Sequence, residues 1–156
     1  MPVNIKNPEL KIDNRALDDA ETKLGQHFPP EYKEFLLRNN GGKPVPASFD
    51  ITWDNNQLEE DWRSSKVDWF LSIYDGQYSS LIEYNCVDYL GRIPADTIAI
   101  AHDPGGNLIL MRVGSDNNGQ IYFWVKDHEV EEGEVPSYDN VGFIANSLPE
   151  FLDSLR

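Results

Sequence analysis

Three short β-prone runs stand almost end to end between residues 97 and 127: "TIAIAH", "NLILMRV" and "QIYFWVKD". Only "DPGG" and "GSDNNG" separate them. Runs of this length broken by turn residues read as an antiparallel meander. Everything else in the chain must cover the two faces of such a sheet.

The covering pieces are legible on either side. From Asp13 the residues Leu17, Ala20 and Leu24 recur at three and four, one face of a helix that Gly25 stops. Asp13 or Asn14 is placed to cap its start, with Asp18 and Asp19 near the favourable end of the helix dipole. In "FPPEYKEFLLRNNGG" the prolines suit a first turn, where a missing amide donor costs nothing, and Tyr32, Phe35 and Leu36 form the stripe. The two segments make an N-terminal helical hairpin. At the far end "IANSLPEFLDSLR" carries Ser147 and Glu150 at capping-box spacing before Phe151, Leu152 and Leu155.

Between hairpin and meander the pattern changes. Phe49, Ile51 and Trp53 alternate in "ASFDITW", as do Val67, Trp69, Leu71 and Ile73 in "VDWFLSIYDG". Both read as half-buried strands, with Trp53, Trp69 and Trp124 assigned to the core. "DNNQLEEDWRSSK" reads as an exposed loop or short helix, and Leu81, Tyr84, Cys86 and Val87 as a middle helix ending by Gly91 and Pro94. The expected fold is therefore α+β. It is a single domain over 1–156, a mostly antiparallel sheet flanked by the helical hairpin, a middle helix and a C-terminal helix.

Composition limits what such a domain can do. A net charge of −14 argues against direct contact with nucleic acid or anionic membrane and favours a basic partner. The single cysteine, Cys86, rules out an internal disulfide and a multi-thiolate zinc site. "MPVNIKNPELKI" has no signal-like apolar run, and no stretch approaches the roughly 20 apolar residues of a spanning helix. A cytoplasmic protein is the expectation.

The stretch "AIAHDPGGNLIL" offers the most tempting chemistry. His102 and Asp103 are adjacent, so on a strand they face opposite ways, and His27 and His128 lie in other elements. Gly105-Gly106 leads into a strand, not a phosphate-binding helix. No G-x-S-x-G elbow supplies a serine nucleophile, and Cys86 reads as a packing residue. The stretch is read as a turn between strands, Pro104 setting one dihedral and the glycines permitting positive φ. No catalytic residue, metal or cofactor is expected.

The order of these motifs resembles the SUKH superfamily, the cell-wall-assembly-regulator-like and bacterial immunity proteins, from about Leu17 to Leu155. The helix signature matches Pro30, Tyr32, Phe35 and Leu36, followed by Gly41 and Gly42. The turn matches Asp103, Gly105, Gly106 and Asn107, and the later strand matches Tyr122 and Trp124. Pro104 departs from the small residue more usual in that loop. The resemblance implies a non-enzymatic protein that binds and neutralises a protein toxin domain, often a nuclease. The same fold also serves as a regulatory scaffold, and a hydrolase using His102 or His128 is the remaining alternative.

A nuclease site is lined with basic residues, so a neutraliser gains speed and orientation from carboxylates. Two stretches supply them. One is Glu59, Glu60 and Asp61 beside Trp62; the other is Asp127, Glu129, Glu131, Glu132 and Glu134. These are the candidate partner-binding residues, with Trp62 as the exposed anchor.

Overall fold

The turn at Asp103 forms as its residues require, and the sheet grows from it. In the computed structural model, which describes residues 3–54, 63–114 and 119–156, the Asp103 carboxylate accepts from the amides of Gly105 (3.0 Å) and Asn107 (2.8 Å). It also accepts from Asn107 Nδ2 at 3.0 Å and Ser65 Oγ at 2.9 Å. Asn107 Oδ1 in turn accepts from the Lys126 amide at 2.9 Å. A side chain that replaces missing backbone partners in this way stabilises a tight connection.

Two strands meet at this turn, β6 (Thr97–His102) and β7 (Leu108–Arg112). They lie inside a five-stranded antiparallel sheet of order β5-β6-β7-β8-β9, with β5 at Trp69–Phe70, β8 at Ile121–Trp124 and β9 at Val141–Ala145. The expected meander is its centre. Strand β9 was not legible: "VGFIA" is short and interrupted by Gly142. Tertiary packing explains that glycine, since a Cβ there would come within 2.5 Å of Ile51 Cγ2.

Both outer edges of the sheet are covered by chain from two small antiparallel ribbons. One joins β1 (Asn4–Lys6) to β2 (Lys43–Val45), the other β3 (Ser48–Asp50) to β4 (Ser64–Lys66). Gly42 exchanges backbone hydrogen bonds with Phe70 on β5, and Thr52 does so with Phe143 on β9. This occupies edge groups that would otherwise invite association. Residues Ser64–Lys66, expected within a loop or short helix, thus form a strand, because pairing with β3 supplies a context that their polar side chains do not announce.

Helix α1 (Asn14–Leu24) is capped by the Asp13 carboxylate and closed by Gly25 at φ 68°. Helix α2 (Pro30–Arg38) begins on proline as expected. Glu21 ties them together: buried, it accepts from the Phe28 amide at 2.6 Å and pairs with Lys33 at 3.3 Å. Helix α4 (Leu148–Ser154) starts at Ser147, whose hydroxyl accepts from the Glu150 amide.

Strand pairing sorts the side chains into two faces. Phe70, Ala101, Ile109 and Phe123 form one cross-strand row. Phe70 packs on Phe35 of α2 and Phe151 of α4, and Phe49 packs on Phe123 and Phe151. Trp69, His102, Leu108 and Trp124 form the adjacent row, facing the opposite side. That side is covered by a short helix, α3 (Leu81–Glu83), and a wider π-helical turn at Tyr84–Asp88.

Two substitutions test this architecture. The buried Tyr32 hydroxyl has no hydrogen-bond partner among the described residues, so Tyr32→Phe should leave stability unchanged or raise it by up to about 1 kcal/mol. Asp103→Ala removes the acceptor of four hydrogen bonds and should cost roughly 3–5 kcal/mol. Urea unfolding midpoints of both variants measure the two effects.

Candidate functional site: a π-helical turn between two acidic clefts

The middle helix expected from Leu81 and ended by Gly91 and Pro94 is α-helical only over Leu81–Glu83. After one α-helical turn the backbone widens, and the Tyr89 amide bonds to the Tyr84 carbonyl, five residues back. The cause lies in Asn85. Its Nδ2 donates to the Leu81 and Ala99 carbonyls and its Oδ1 accepts from the Ala99 amide, all within 2.8–2.9 Å. Ala99 stands where the β6–β7 register shifts, so the amide side chain supplies partners at an irregularity in the ladder. Widened turns of this kind frequently occur at functional sites.

Tyr84 and Tyr89 fasten the turn from either end. Tyr84 stacks on His102 (centroids 5.7 Å, planes 20° apart), while Tyr89 meets Trp124 edge-on at 5.7 Å and Tyr84 at 5.4 Å. Trp124 is buried as expected. Trp69 corrects its core assignment. It is half-buried, lies in the row of His102, carries Lys43 Nζ 4.9 Å from its ring centre, and lines a cleft. Alternation correctly placed it opposite Phe70, but the cover on that side stops short of it.

That first cleft is a cavity of about 700 Å³ with Asp68, Glu83 and Asp88 on its walls and Ser79 and His102 within it. The second, of about 550 Å³, lies across the turn and shares Asp88. Its far wall is the acidic loop Glu129–Glu134, one of the two stretches expected to meet a partner. Val87 and Leu90, 62% and 70% exposed, line this second cleft beside Asp88. Exposed apolar side chains beside carboxylates offer contact area next to charge.

The expected acidic residues divide by role. Arg92 clamps Glu129 through two hydrogen bonds at 2.6 and 2.9 Å, and lies 4.6 Å from the Tyr89 ring centre. The Glu129 contact raises the guanidinium pKa, and Glu129 therefore braces the loop more than it offers charge. The Glu134 carboxylate accepts from the Glu131 amide at 3.1 Å, closing the loop on itself. Asp127, Glu131 and Glu132 are exposed. Glu59, Glu60, Asp61 and Trp62 lie outside the described residues.

Other reactive groups fall into place around the turn. Cys86 donates to the Lys23 carbonyl at 3.5 Å, and burial raises its thiol pKa, which keeps it protonated. Among the described residues no three His, Cys, Asp or Glu side chains come together as a metal site. No helix there is long and apolar enough to cross a membrane.

Sequence reasoning missed Ser79, Asp68, Val87 and Leu90. Ser79 has φ 50°, an uncommon conformation for a non-glycine residue, and no pattern in "GQYSSL" signals it. Val87, read with the apolar residues of the middle helix, is exposed instead, and nothing in "VDYLGR" marks it or Leu90 as surface.

Burial is the largest cause of a pKa shift at this site. It pushes the Tyr84 phenol up to about 12, with the charges of Tyr89, Asp88 and Asp68 adding to the rise. Unfolding returns the phenol to its ordinary value of 10.0, so its stabilising contribution is full below pH 10.0 and is lost as pH rises towards about 12. Tyr84→Phe should make the alkaline fall in unfolding midpoint shallower across that window. Tyrosinate absorbance of the native protein should show one late-titrating phenol fewer.

Comparison with known proteins agrees with the fold. The model of the SMI1 / KNR4 family (SUKH-1) matches residues 11–154. A relative from Bacillus subtilis (strain 168), "SPbeta prophage-derived uncharacterized protein YokK", is 30% identical over 152 residues, 91% of this chain and 73% of its own length. With the match spanning hairpin, turn, meander and C-terminal helix, the chain belongs to the SMI1 / KNR4 family (SUKH-1).

Proposed function

We propose that the chain is a binding protein of the immunity type. It captures and neutralises a basic protein toxin domain through the face built from the π-helical turn and the Asp127–Glu134 loop. The observation that carries this reading is the pair Val87 and Leu90, exposed on the wall of a cleft that also bears Asp88, Glu131 and Glu132, with Asp68 and Glu83 on the neighbouring cleft that shares Asp88. Apolar side chains supply contact area that excludes water, and a carboxylate rim supplies steering and register. The net charge of −14 extends the attraction beyond contact range.

The mechanism is occlusion without turnover. A nuclease or another enzyme acting on polyanions keeps its site positive, and a negative face arriving first competes for the same field. Arg92 fits the role of an internal brace, because its clamp on Glu129 holds the loop against the turn before any partner arrives. A preformed surface loses less entropy on association than one ordered by binding.

Growth rescue provides the test. The neighbouring gene's C-terminal domain is expressed with and without this chain. Reversal of killing supports the reading, and killing unaffected by the chain counts against that pair. Within a rescuing pair, Glu131→Lys with Glu132→Lys should slow association about ten- to a hundredfold and flatten its salt dependence. Leu90→Asp should act mainly on dissociation, weakening binding by about tenfold or more. Full rescue by all three substitutions together would place the interface elsewhere.

A further inference from the structure

In the first cleft the hydroxyl of Ser79 lies 2.9 Å from His102 Nε2. The opposite ring nitrogen, Nδ1, lies 3.1 Å from the Asp103 carbonyl and 3.8 Å from Asp68 Oδ2. A carbonyl oxygen only accepts, so Nδ1 must carry the proton in the neutral ring. Nε2 is then left with its lone pair, and the Ser79 hydroxyl must be the donor. Serine and imidazole therefore stand on the ring atoms that base-assisted nucleophilic attack requires, with the Nδ1 proton held by a backbone carbonyl and the Asp68 carboxylate near it but not bonded to it.

The surroundings hold the arrangement. Tyr84 stacks on the imidazole and keeps its plane, and His102 is anchored on a central strand of the sheet. Ser79 is held at φ 50° because its carbonyl accepts from the Ser72 amide while the Leu81 amide donates back to Ser72. A non-glycine residue in that region costs energy that the neighbouring contacts must over-determine, and such positions cluster at functional sites. The cavity in front of the pair, about 700 Å³, is walled by Trp69, Tyr78 and Tyr84 and rimmed by Asp68, Glu83 and Asp88.

We propose that Ser79 is a nucleophile activated by His102, which takes an acyl group from uncharged or cationic carboxylic esters. Trp69 and Tyr84 offer ring faces to a short acyl group, and the carboxylate rim disfavours anionic donors. Ser79 Oγ bonds to the carbonyl carbon as its proton passes to His102 Nε2. The bond from that carbon to the leaving oxygen then breaks, and the proton leaves with the alcohol. Water attacking the seryl ester by the reverse proton path releases the carboxylic acid and restores Ser79. Asp68, shared with Lys43 at 3.2 Å, is a positioning residue 3.8 Å from His102 Nδ1. This chemistry is independent of the binding role proposed above.

The experiment uses the full chain with p-nitrophenyl butyrate, followed by intact-mass analysis, peptide mapping and nitrophenolate release. The expected result is an acyl group on Ser79, or nitrophenolate release above background where the seryl ester turns over. Ser79→Gly keeps the positive φ at no steric cost and should abolish both signals. His102→Phe keeps a ring against Tyr84 without a base and should slow acylation about a hundredfold or more. Circular dichroism checks that both variants fold, and a variant that does not is replaced by Ser79→Ala or His102→Gln. Labelling confined to lysines or tyrosines, Ser79 labelling indifferent to loss of the imidazole, or no reaction at all would each overturn the proposal.

Discussion

One carboxylate organises much of this molecule. Asp103 is almost fully buried, and its two oxygens accept four hydrogen bonds from the turn and from Ser65 on an outer ribbon. Through Asn107 the same turn reaches the end of β8. A charged acceptor surrounded by donors in a low-dielectric interior is strong while complete and costly to break. Its backbone carbonyl has a second effect, because it sets the proton on His102 Nδ1 and thereby the character of the neighbouring cleft. A residue of the turn thus reaches into the site through its main chain while its side chain holds the fold.

From that turn the two faces of the sheet diverge in purpose. One face meets α2 and α4 through phenylalanines from five elements, contacts that stabilise and do nothing else visible. The other meets a cover that is deliberately incomplete. Asn85 fastens the π-helical turn to β6, Tyr84 and Tyr89 seat it, and on either side the cover gives way to clefts lined with acidic side chains. Placing exposed apolar residues on a turn braced this firmly gives a binding surface that need not order itself on contact.

The legible parts of the fold were those governed by local rules. The capped α1, the proline-started α2, the Ser147 cap and the Asp103–Asn107 turn all follow from short-range chemistry, so neighbouring letters were enough. Less was visible where pairing partners lie far apart. Ser64–Lys66 looked like a loop because its polar side chains announce no strand, and β9 was hidden by the glycine that lets Ile51 and Trp53 approach. The acidic loop at Asp127–Glu134 was found from charge, but charge did not reveal that Arg92 neutralises Glu129.

By itself the sequence determined an acidic α+β domain with a central meander, its helical covers and the position of its principal turn, because periodicity, capping and turn chemistry act within a few residues. It determined the sign of the field as well, since net charge does not depend on folding. The tertiary structure alone decided which aromatic residues are core and which line a cleft. It also decided that Val87 and Leu90 stand between carboxylates from distant segments, and that Ser79, His102 and Asp68 converge. Those are relations between residues up to dozens of positions apart, set by strand register and by where the cover ends. Neither quantity has a local signature in the chain.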